Sequence, residues 1–259
     1  MPKKVIAFDL DGTLAPSKSY MHDRMGLALT QLLDSFTVCI ISGGRFEQFN
    51  NQVLNTLSAT PAQLERLHLM PTCGTQYFRY DPAKSEWSRV YAELIPEDDK
   101  AKIAAALERG FTTLGFKAEK TYGPTLEDRE SQITYSVLGQ NIVDELGEKG
   151  VEIKYAWDPD NSKKQAVRDF VAPLIPDYEV RVGGVTSLDV TRPGIDKAYG
   201  MNKLMELLKA SKDEVLFIGD RLQEGGNDYP VKAMGIDCLE VVKWEDTALV
   251  LEGILHVTH

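Results

Sequence analysis

Short apolar runs alternate with amphipathic stretches in the first and last parts of the chain. Each run is rich in branched residues and almost continuously apolar, which is typical of parallel strands that helices cover on both faces. Between the runs, apolar residues recur at three- and four-residue steps over residues 21–36 and 201–208, which indicates helices with one apolar face. The predicted strands are Val5–Phe8, Val38–Ile41, Val215–Ile218 and Cys238–Val242.

This order of strands and helices predicts an α/β fold with a Rossmann-like, doubly wound parallel sheet. In such a sheet, ligands bind outside the carboxyl ends of the strands. Polar or glycine-rich turns follow three of the four predicted strands, namely Asp9–Thr13, Ser42–Arg45 and Gly219-Asp220. We therefore expect these turns to meet and to form the functional site.

The middle of the sequence, from about residue 85 to about residue 182, has a different pattern. Helical periodicity over residues 103–114 and 167–174 is combined with alternating segments, which predict antiparallel strands with one solvated face. The predicted strands of this region are Gln132–Val137, Val151–Trp157 and Tyr178–Val182. We predict an α+β domain, residues 85–188, inserted into a core domain formed by residues 1–84 and 189–259.

The composition indicates a globular protein and narrows its partners. Of 259 residues, 29 are Lys or Arg and 39 are Asp or Glu, so the formal net charge is 29 − 39 = −10. We expect no nucleic-acid partner, because binding a phosphate backbone needs a basic surplus. We also expect no membrane partner, since no apolar run approaches the roughly 20 residues that span a bilayer. Three scattered cysteines suit neither a disulfide framework nor a thiolate zinc site, so we expect a reduced, cytoplasmic protein.

Two carboxylates follow the first predicted strand, in the segment Phe8-Asp9-Leu10-Asp11-Gly12-Thr13-Leu14. Residues two apart in an extended chain point to the same side, so Asp9 and Asp11 are expected to lie close together. Close carboxylates repel each other unless a cation neutralises them, and Mg²⁺ prefers such oxygen ligands. An Asp-x-Asp pair alone also fits a solvated turn at a strand end, but the whole segment favours a metal-assisted site.

The segment Asp9–Thr13 resembles the first motif of the haloacid dehalogenase superfamily of phosphotransferases. The resemblance implies that Asp9 attacks phosphorus and forms an aspartyl-phosphate, and that Asp11 acts as general acid and base. It also implies that Mg²⁺ is the cofactor and that Thr13 helps to hold the transferring phosphoryl group.

Residues that resemble the other three motifs of this superfamily follow in the same order. Ser42, with Gly43 beside it, resembles the second motif and is expected to hold a phosphoryl oxygen. Lys197 resembles the third motif and is expected to offset the charge of nucleophile and phosphate. The segment Phe217–Asp228 resembles the fourth motif. The metal-site residues that the resemblance implies are Asp9, Asp11 (through its backbone carbonyl), Asp220, Asn227 and Asp228.

The inserted domain lies between the second and third motifs, as in the branch of the superfamily with a large α+β cap. Within that branch, Gly183–Val190 and Gly219–Asp228 resemble the eukaryotic-type phosphomannomutases and their sugar-phosphatase relatives. This resemblance implies a small phosphorylated substrate and either a monomer or a homodimer formed through the caps. The substrate contacts that it implies are Lys18, Arg129, Ser187 and Asp189.

The chain departs from the mutases where they hold phosphate. Lys18 stands where the mutases have an Arg, and Gln140 and Gly147 stand where their cap has two more. Because a mutase binds a phosphate at both ends of the sugar, we predict a Mg²⁺-dependent phosphohydrolase acting on a small phosphorylated metabolite, a sugar phosphate. The alternatives are a phosphomannomutase-type mutase, with Lys149 or Lys154 replacing the arginines, and a non-catalytic regulator that binds a phosphosugar.

Overall fold

A computed structural model of the protein describes residues 2–258 and divides them into two compact units. The first unit contains the described residues up to Ala92 and those from Ile195 onward, whereas the second contains Glu93–Gly194. The first unit extends beyond the predicted boundary at residue 84, because the strand Glu86–Ala92 pairs with its sheet. The second unit likewise extends beyond residue 188, because Ser187–Thr191 pairs with strands of the second unit.

The elements of both units are as follows. The strands are β1 (Val5–Phe8), β2 (Thr37–Ile41), β3 (Leu67–Met70), β4 (Gln76–Asp81), β5 (Glu86–Ala92), β6 (Leu126–Asp128), β7 (Gln132–Ser136), β8 (Glu179–Val182), β9 (Ser187–Thr191), β10 (Val215–Gly219) and β11 (Asp237–Glu240). The α-helices are α1 (Asp23–Ser35), α2 (Phe46–Phe49), α3 (Pro61–Leu64), α4 (Glu97–Thr113), α5 (Ile142–Leu146), α6 (Glu148–Trp157), α7 (Ser162–Val171), α8 (Lys197–Leu208), α9 (Tyr229–Ala233) and α10 (Trp244–Thr258).

The sheet of the first unit has the order β11-β10-β1-β2-β3-β4-β5 over the described residues. Neighbouring strands from β11 to β3 are parallel, whereas β4 and β5 are joined antiparallel at the other edge. The predicted α/β architecture and its four parallel strands are confirmed, with small shifts at the strand ends. Strands β3, β4 and β5 were not predicted.

Alternate residues of the central strands pack on opposite faces of this sheet. Phe8 and Ile40 belong to an apolar cluster with residues of α1 and α10, while Ala7 and Ile41 belong to a second cluster with residues of α8. Helices therefore cover both faces, which is why these strands are apolar at almost every position. None of the described helices is long and apolar enough to cross a membrane.

The second unit has an antiparallel sheet of order β6-β7-β9-β8. Ile133 and Tyr135 of β7 face an apolar cluster that contains Phe111 of α4 and Val167 of α7. Polar residues such as Thr134 alternate with them and lie on the other face of the sheet. The predicted alternation of apolar and polar residues is thus confirmed for β7, and the predicted α+β character of the insertion with it. The predicted solvated face is wrong for this strand, because Gln132, Thr134 and Ser136 are buried.

The strand prediction for Val151–Trp157 was wrong, because this segment forms most of α6. Its apolar residues recur every second position, but only Ile153 and Trp157 pack against the apolar cluster of the second unit. These two residues are four apart and share one helical face, whereas Val151 and Tyr155 are exposed. Apolar residues at every second position therefore imitated a strand, although only the two that are four residues apart are packed, as on one face of a helix.

Candidate active site

The side chain of Asp9 is fixed at the carboxyl end of β1. Its backbone N–H donates to the carbonyl of Ile218 at 3.0 Å, which continues the pairing with β10 for one more residue. The buried Oδ1 accepts from the backbone N–H of Leu10 at 2.7 Å and lies 2.6 Å from the Lys197 Nζ. Because Oδ1 has both partners, Oδ2 is the oxygen available for chemistry.

Lys197 is the first residue of α8, a helix whose N-cap Asp196 accepts from the backbone N–H of Tyr199. The lysine is 1% exposed, and its Nζ lies 2.6 Å from Asp9 Oδ1 and 2.5 Å from Asp228 Oδ1. Burial lowers the pKa of Lys197, but the two carboxylates together raise it more, so its pKa lies above the ordinary value. The ammonium therefore stays charged between two acidic groups.

The pKa of Asp9 is raised from its ordinary value to about 7. Burial is the main cause and Asp228 adds to it, while Lys197 and the Leu10 N–H act in the opposite direction. A second cation beside Asp9 would favour the ionised form, since an opposite charge within a few ångströms lowers the pKa of a carboxyl. The nucleophile that the sequence predicts thus lies in a place that favours cation binding.

Three carboxylates form a group in which one oxygen of each lies within 4.8 Å of the others: Asp9, Asp220 and Asp228. Asp220 follows β10 and Asp228 precedes α9, where its Oδ2 accepts from the backbone N–H of Arg221 at 3.0 Å. Burial, followed by Asp228, raises the pKa of Asp220. Within residues 2–258, the buried Asp220 Oδ1 has no hydrogen-bond partner. Clustered carboxylate oxygens with one unpaired buried acceptor fit a hard divalent cation such as Mg²⁺.

Gly12 permits the close approach of the two loops that carry these carboxylates. Its φ is +84°, and a Cβ at this position would lie 2.5 Å from Asp220 Oδ2. A larger residue would be strained in its backbone and would displace the Asp220 carboxylate. The glycine of the Asp9–Thr13 segment is therefore required where the β1 and β10 loops meet.

The Asp11 carboxylate lies outside the acidic group and is held by donors of the first unit. Its Oδ2 accepts from Gln48 Nε2 at 2.8 Å, while its Oδ1 accepts from Gln52 Nε2 at 3.2 Å and from the backbone N–H of Lys18 at 2.8 Å. The side chain of Asp11 is therefore not part of the group of clustered carboxylates, and the expected role of its backbone carbonyl as a metal ligand stays a prediction. Sequence reasoning missed Gln48 and Gln52, although two glutamines four apart just after the Ser42 turn were a signal.

The remaining predicted phosphate ligands are close to the carboxyl ends of β1 and β2. Thr13 is fully buried, and its hydroxyl has no hydrogen-bond partner in the described part of the chain. Ser42 is also buried, and its Oγ accepts from the backbone N–H of Gly44 at 3.2 Å. Gly43, which lies between Ser42 and Gly44 in the sequence, is partly exposed. Hydroxyl and amide donors of this kind can hold phosphoryl oxygens.

The other predicted site residues divide between the two units. In the first unit, Lys18 and Asn227 are exposed. In the second, the Arg129 Nη2 lies 2.6 Å from Glu127 Oε2, and Asp189 Oδ1 accepts from the Thr134 hydroxyl at 2.7 Å. Ser187 and Asp189 are two residues apart on β9 and so lie on one face of the sheet.

Comparison with known proteins agrees with this geometry. The family described as haloacid dehalogenase-like hydrolase matches residues 6–230. A phosphomannomutase of Encephalitozoon cuniculi is 25% identical over 236 residues, which cover 88% of this chain and 84% of the mutase. A 5-amino-6-(5-phospho-D-ribitylamino)uracil phosphatase of Escherichia coli is 22% identical, with 99% of this chain and 95% of the phosphatase covered.

The fold is also similar to that of solved structures. A C-terminally truncated IMP-nucleotidase of Plasmodium falciparum superposes with a TM-score of 0.69 at 20% sequence identity, covering 99% of this chain and 72% of the nucleotidase. The family match spans the carboxylates Asp9, Asp220 and Asp228 as well as Lys197. The chain therefore belongs to the haloacid dehalogenase-like hydrolases.

Proposed function

We propose that the protein is a Mg²⁺-dependent phosphohydrolase that cleaves a small phosphate ester, a sugar phosphate, through an aspartyl-phosphate at Asp9. The observation that carries this proposal is the fixed Asp9 carboxylate. One of its oxygens is bound to Lys197 Nζ and to a backbone amide, and two further carboxylates lie beside it. A nucleophile, a buried counter-charge and a metal-binding group are thus combined at one strand end.

The reaction has two steps at phosphorus. Asp9 Oδ2 attacks the phosphate ester, the bond from phosphorus to the leaving oxygen breaks, and protonated Asp11 gives its proton to that oxygen. Water then attacks the aspartyl-phosphate while Asp11 takes its proton, and the bond between phosphorus and Asp9 breaks to release inorganic phosphate. Asp11 is thereby returned to its protonated form.

The metal would bind at the group of three carboxylates. Asp9, Asp220 and Asp228 would hold Mg²⁺ together with the backbone carbonyl of Asp11, and Asn227 would support them. Bound there, the ion neutralises the carboxylates and the charge that develops on the phosphoryl oxygens. Among the protein's own groups, the buried Lys197 ammonium opposes the same charge, and its donors need no reorganisation during the reaction.

The phosphoryl group is held by donors around the ends of β1 and β2. The buried Thr13 hydroxyl, which has no partner among the described residues, would donate to one phosphoryl oxygen. The Ser42 hydroxyl and the backbone around Gly43 would hold another. A buried hydroxyl without a partner is unfavourable, and a phosphate oxygen would satisfy it.

The second unit supports hydrolysis of a monophosphate. We assign Arg129, Ser187 and Asp189 of this unit, with Lys18, to substrate contacts away from the reacting phosphate. Arg129 is already paired with Glu127, and Arg181 on β8 is paired with Glu179 at 2.8 Å. Both guanidinium groups already donate to a carboxylate, so neither offers its full set of donors to a second phosphate unless that ion pair breaks.

Gln140 also favours a neutral substrate group. Its Nε2 is buried and has no hydrogen-bond partner within residues 2–258. A neutral amide donor suits a sugar hydroxyl better than a phosphate dianion, which Arg binds through two hydrogen bonds. This residue replaces one of the arginines expected of a mutase.

A phosphomannomutase-type mutase is the second candidate, and the similarity to phosphomannomutases over 88% of the chain favours it. The first step would be the same, but the aspartyl-phosphate would pass its phosphoryl group to a second hydroxyl of the sugar. Lys149 and Lys154 lie on α6, where Lys149 is exposed and Lys154 partly so. These lysines are the available substitutes for the arginines.

Phosphorus NMR of the protein with Mg²⁺ and hexose 1- and 6-phosphates tests the proposal, with and without a hexose bisphosphate. We expect inorganic phosphate to appear with the wild type and not with Asp9→Asn. Asp34→Asn, an exposed aspartate on α1, is the matched control and should behave like the wild type. Phosphate release by Asp9→Asn would remove Asp9 as nucleophile, and bisphosphate-stimulated exchange of the two esters would establish a mutase.

A further inference from the structure

A short helical segment after the Ser42 turn carries the two amides that hold Asp11. The α2 helix ends at Phe49 and continues as a π-helical turn over Asn50–Leu54. This turn is closed by a hydrogen bond from the backbone N–H of Asn55 to the carbonyl of Asn50 at 3.0 Å. Such turns are rare in proteins and occur frequently at functional sites.

Gln48 is fixed on both sides of its amide. Its Nε2 donates to Asp11 Oδ2 at 2.8 Å. A Cβ on Gly44 would lie only 2.1 Å from Gln48 Oε1, so this oxygen occupies the space that a side chain at residue 44 would need. A glycine is therefore needed at position 44 because a side chain there would collide with the Gln48 amide, as well as because of the turn after β2.

Gln52 ties the Asp11 carboxylate to the loop that follows it. Three acceptors surround its buried Nε2: Asp11 Oδ1 at 3.2 Å, the Pro16 carbonyl at 3.3 Å and the Ser19 carbonyl at 3.0 Å. These acceptors determine which end of the amide faces Asp11, because an oxygen there would meet only other oxygens.

Gln52 also has a feature that stability alone does not explain. Its Oε1 is buried and has no hydrogen-bond partner within the described residues. An unpaired buried acceptor lowers stability by about 1–3 kcal/mol, which an apolar residue of similar size would avoid. The hydrogen bonds of its amide nitrogen, one of them to Asp11, oppose this cost and are the feature that an apolar residue could not supply.

We propose that Gln48 and Gln52 are positioning residues for the proton transfers of Asp11. The inference rests on the proposed function, in which Asp11 gives a proton to the leaving oxygen and later takes one from water. One amide donor on each carboxylate oxygen holds the plane of the carboxylate. Oδ1 accepts from Gln52 and from the Lys18 N–H, whereas Oδ2 accepts from Gln48 alone and keeps a lone pair for the proton. With only the Lys18 N–H left as a donor, the partly exposed carboxylate rotates among several conformations and is less often in the reactive one.

The test uses two phosphate esters whose leaving groups differ in how much they need protonation by Asp11. The first is the hexose 6-phosphate that the wild type cleaves fastest, whose alcohol must be protonated as it leaves. The second is 4-nitrophenyl phosphate, whose phenolate leaves without a proton. The variant Gln48→Met removes the amide donor with little change in size, and Gln48→Glu places a carboxylate against Asp11.

We expect Gln48→Met to lower kcat on the hexose phosphate by about 10-fold or more, with KM unchanged within about twofold, because general acid-base catalysis contributes roughly 10²–10⁴-fold in all. The loss on the nitrophenyl ester should be smaller. If hydrolysis of the aspartyl-phosphate limits the variant on this ester, because Asp11 activates water poorly, one equivalent of nitrophenol per protein should appear before slow turnover. Gln48→Glu should lose more than Gln48→Met, and Gln52→Met should show the same preference between esters.

Gln63→Leu is the matched control. The Gln63 amide also donates to a carboxylate, Asp34 Oδ1 at 2.9 Å, but that pair is on the surface near α1 and α3. Equal losses on both esters without a nitrophenol burst, or losses reproduced by Gln63→Leu, would overturn the inference while leaving the phosphohydrolase intact. A wild type that cleaves neither ester, or an active Asp9→Asn, would instead refute the proposed function.

Discussion

The Lys197 ammonium is the counter-charge of two buried carboxylates. It lies 2.6 Å from Asp9 Oδ1 and 2.5 Å from Asp228 Oδ1, and both acidic side chains are almost inaccessible to water. Removing one partner of a buried ion pair is far more damaging than removing a surface pair, because the remaining charge has no solvent. A divalent cation bound to the same carboxylates is the other way of neutralising them.

Lys197→Met should therefore unfold more easily and should regain stability when Mg²⁺ is added. Without metal, we expect a loss of about 3–5 kcal/mol in the free energy of unfolding. Saturating Mg²⁺ should stabilise this variant more than the wild type, since the ion meets less opposing charge. Activity should still fall on the order of 10²-fold, because the transition state loses a fixed cation. Urea unfolding with and without Mg²⁺ measures the first effect, and phosphate release the second.

Lys164→Met provides the comparison. Lys164 is the other fully buried lysine of the described chain, but it belongs to the second unit, where its Nζ donates to the Gly184 carbonyl at 2.9 Å. Its replacement should lower stability to the same extent with and without Mg²⁺. If Mg²⁺ stabilised both lysine variants equally, the link between Lys197 and the metal site would be lost.

At the scale of single residues, the sequence indicated charged groups better than amides. Asp9 and Asp220 directly follow predicted strands, and the carboxyl ends of these strands form the ligand-binding edge of a doubly wound sheet. Lys197 was identified only through its resemblance to the third motif of the superfamily. Gln48 and Gln52 are different, because an amide has no chemistry of its own that a motif would reveal. Their importance depends on which carboxylate they contact, and that contact is formed only in the tertiary structure.

At the scale of elements, a left-handed turn packs between the Ser42 turn and α8. Thr72, Cys73 and Gly74 all have positive φ angles, of 48°, 55° and 86°. The backbone N–H groups of Thr72 and Cys73 donate to the carbonyls of Gly44 at 3.0 Å and Ser42 at 2.9 Å. An unfavourable backbone conformation is thus retained where it orders the Ser42 segment, which we propose binds phosphate.

Gly74→Ala should damage both stability and substrate binding. The new Cβ would lie 2.5 Å from the Cα of Gly200 in α8, and its φ of +86° is unfavourable for alanine. We expect a loss of about 1–3 kcal/mol from overpacking and roughly 1–2 kcal/mol more from the left-handed backbone. Because the turn orders the Ser42 segment, KM for the phosphate ester should rise at temperatures where the variant is folded. Thermal unfolding and steady-state kinetics measure the two effects.

Gly253→Ala is the control for this substitution. Gly253 lies within α10, and a Cβ there would meet no atom within 4 Å. Since alanine is the better helix former, this variant should gain about 0.5–1 kcal/mol and keep its KM. Similar thermal shifts in the two variants would show that the contact between Gly74 and Gly200 does not carry the effect.

Four of the seven described strands of the first unit were predicted, and three of these four, β1, β2 and β10, are almost entirely buried. β1, β2 and β10 are short apolar runs, and in a chain with alternating helices few structures besides a buried parallel strand produce that pattern. β11 is an edge strand with exposed acidic residues at both ends, and its prediction depended on Cys238, Leu239 and the two valines that follow the strand. β4 and the edge strand β5 were missed, since they are partly exposed and carry polar residues at many positions. β3 was missed although it is buried at all four positions. In α6, two exposed apolar residues imitated the period of a strand, and the periodicity could not show which of its residues were buried.

At the scale of the whole molecule, each unit has its own apolar core. The clusters that contain Phe8 and Ala7 belong to the first unit, and the cluster that contains Phe111 belongs to the second. Regions with separate cores open with separate free energies in hydrogen exchange. The change in hydrophobic period led us to expect boundaries at residues 85 and 188, whereas the second unit comprises Glu93–Gly194.

Phe111→Ala should therefore loosen the second unit without loosening the first. Phe111 is fully buried, its ring stacks on Tyr135 with centroids 4.6 Å apart, and its loss should cost about 3–5 kcal/mol. In hydrogen exchange followed by mass spectrometry, peptides from 93–194 should exchange faster, while peptides that contain Asp9 and Lys197 should keep wild-type protection. Phe217→Ala, which removes an equally buried ring from the first unit, should produce the opposite pattern. Faster exchange across both units in either variant would mean that the two cores open together, and that the insertion is not an independently stabilised part of the enzyme.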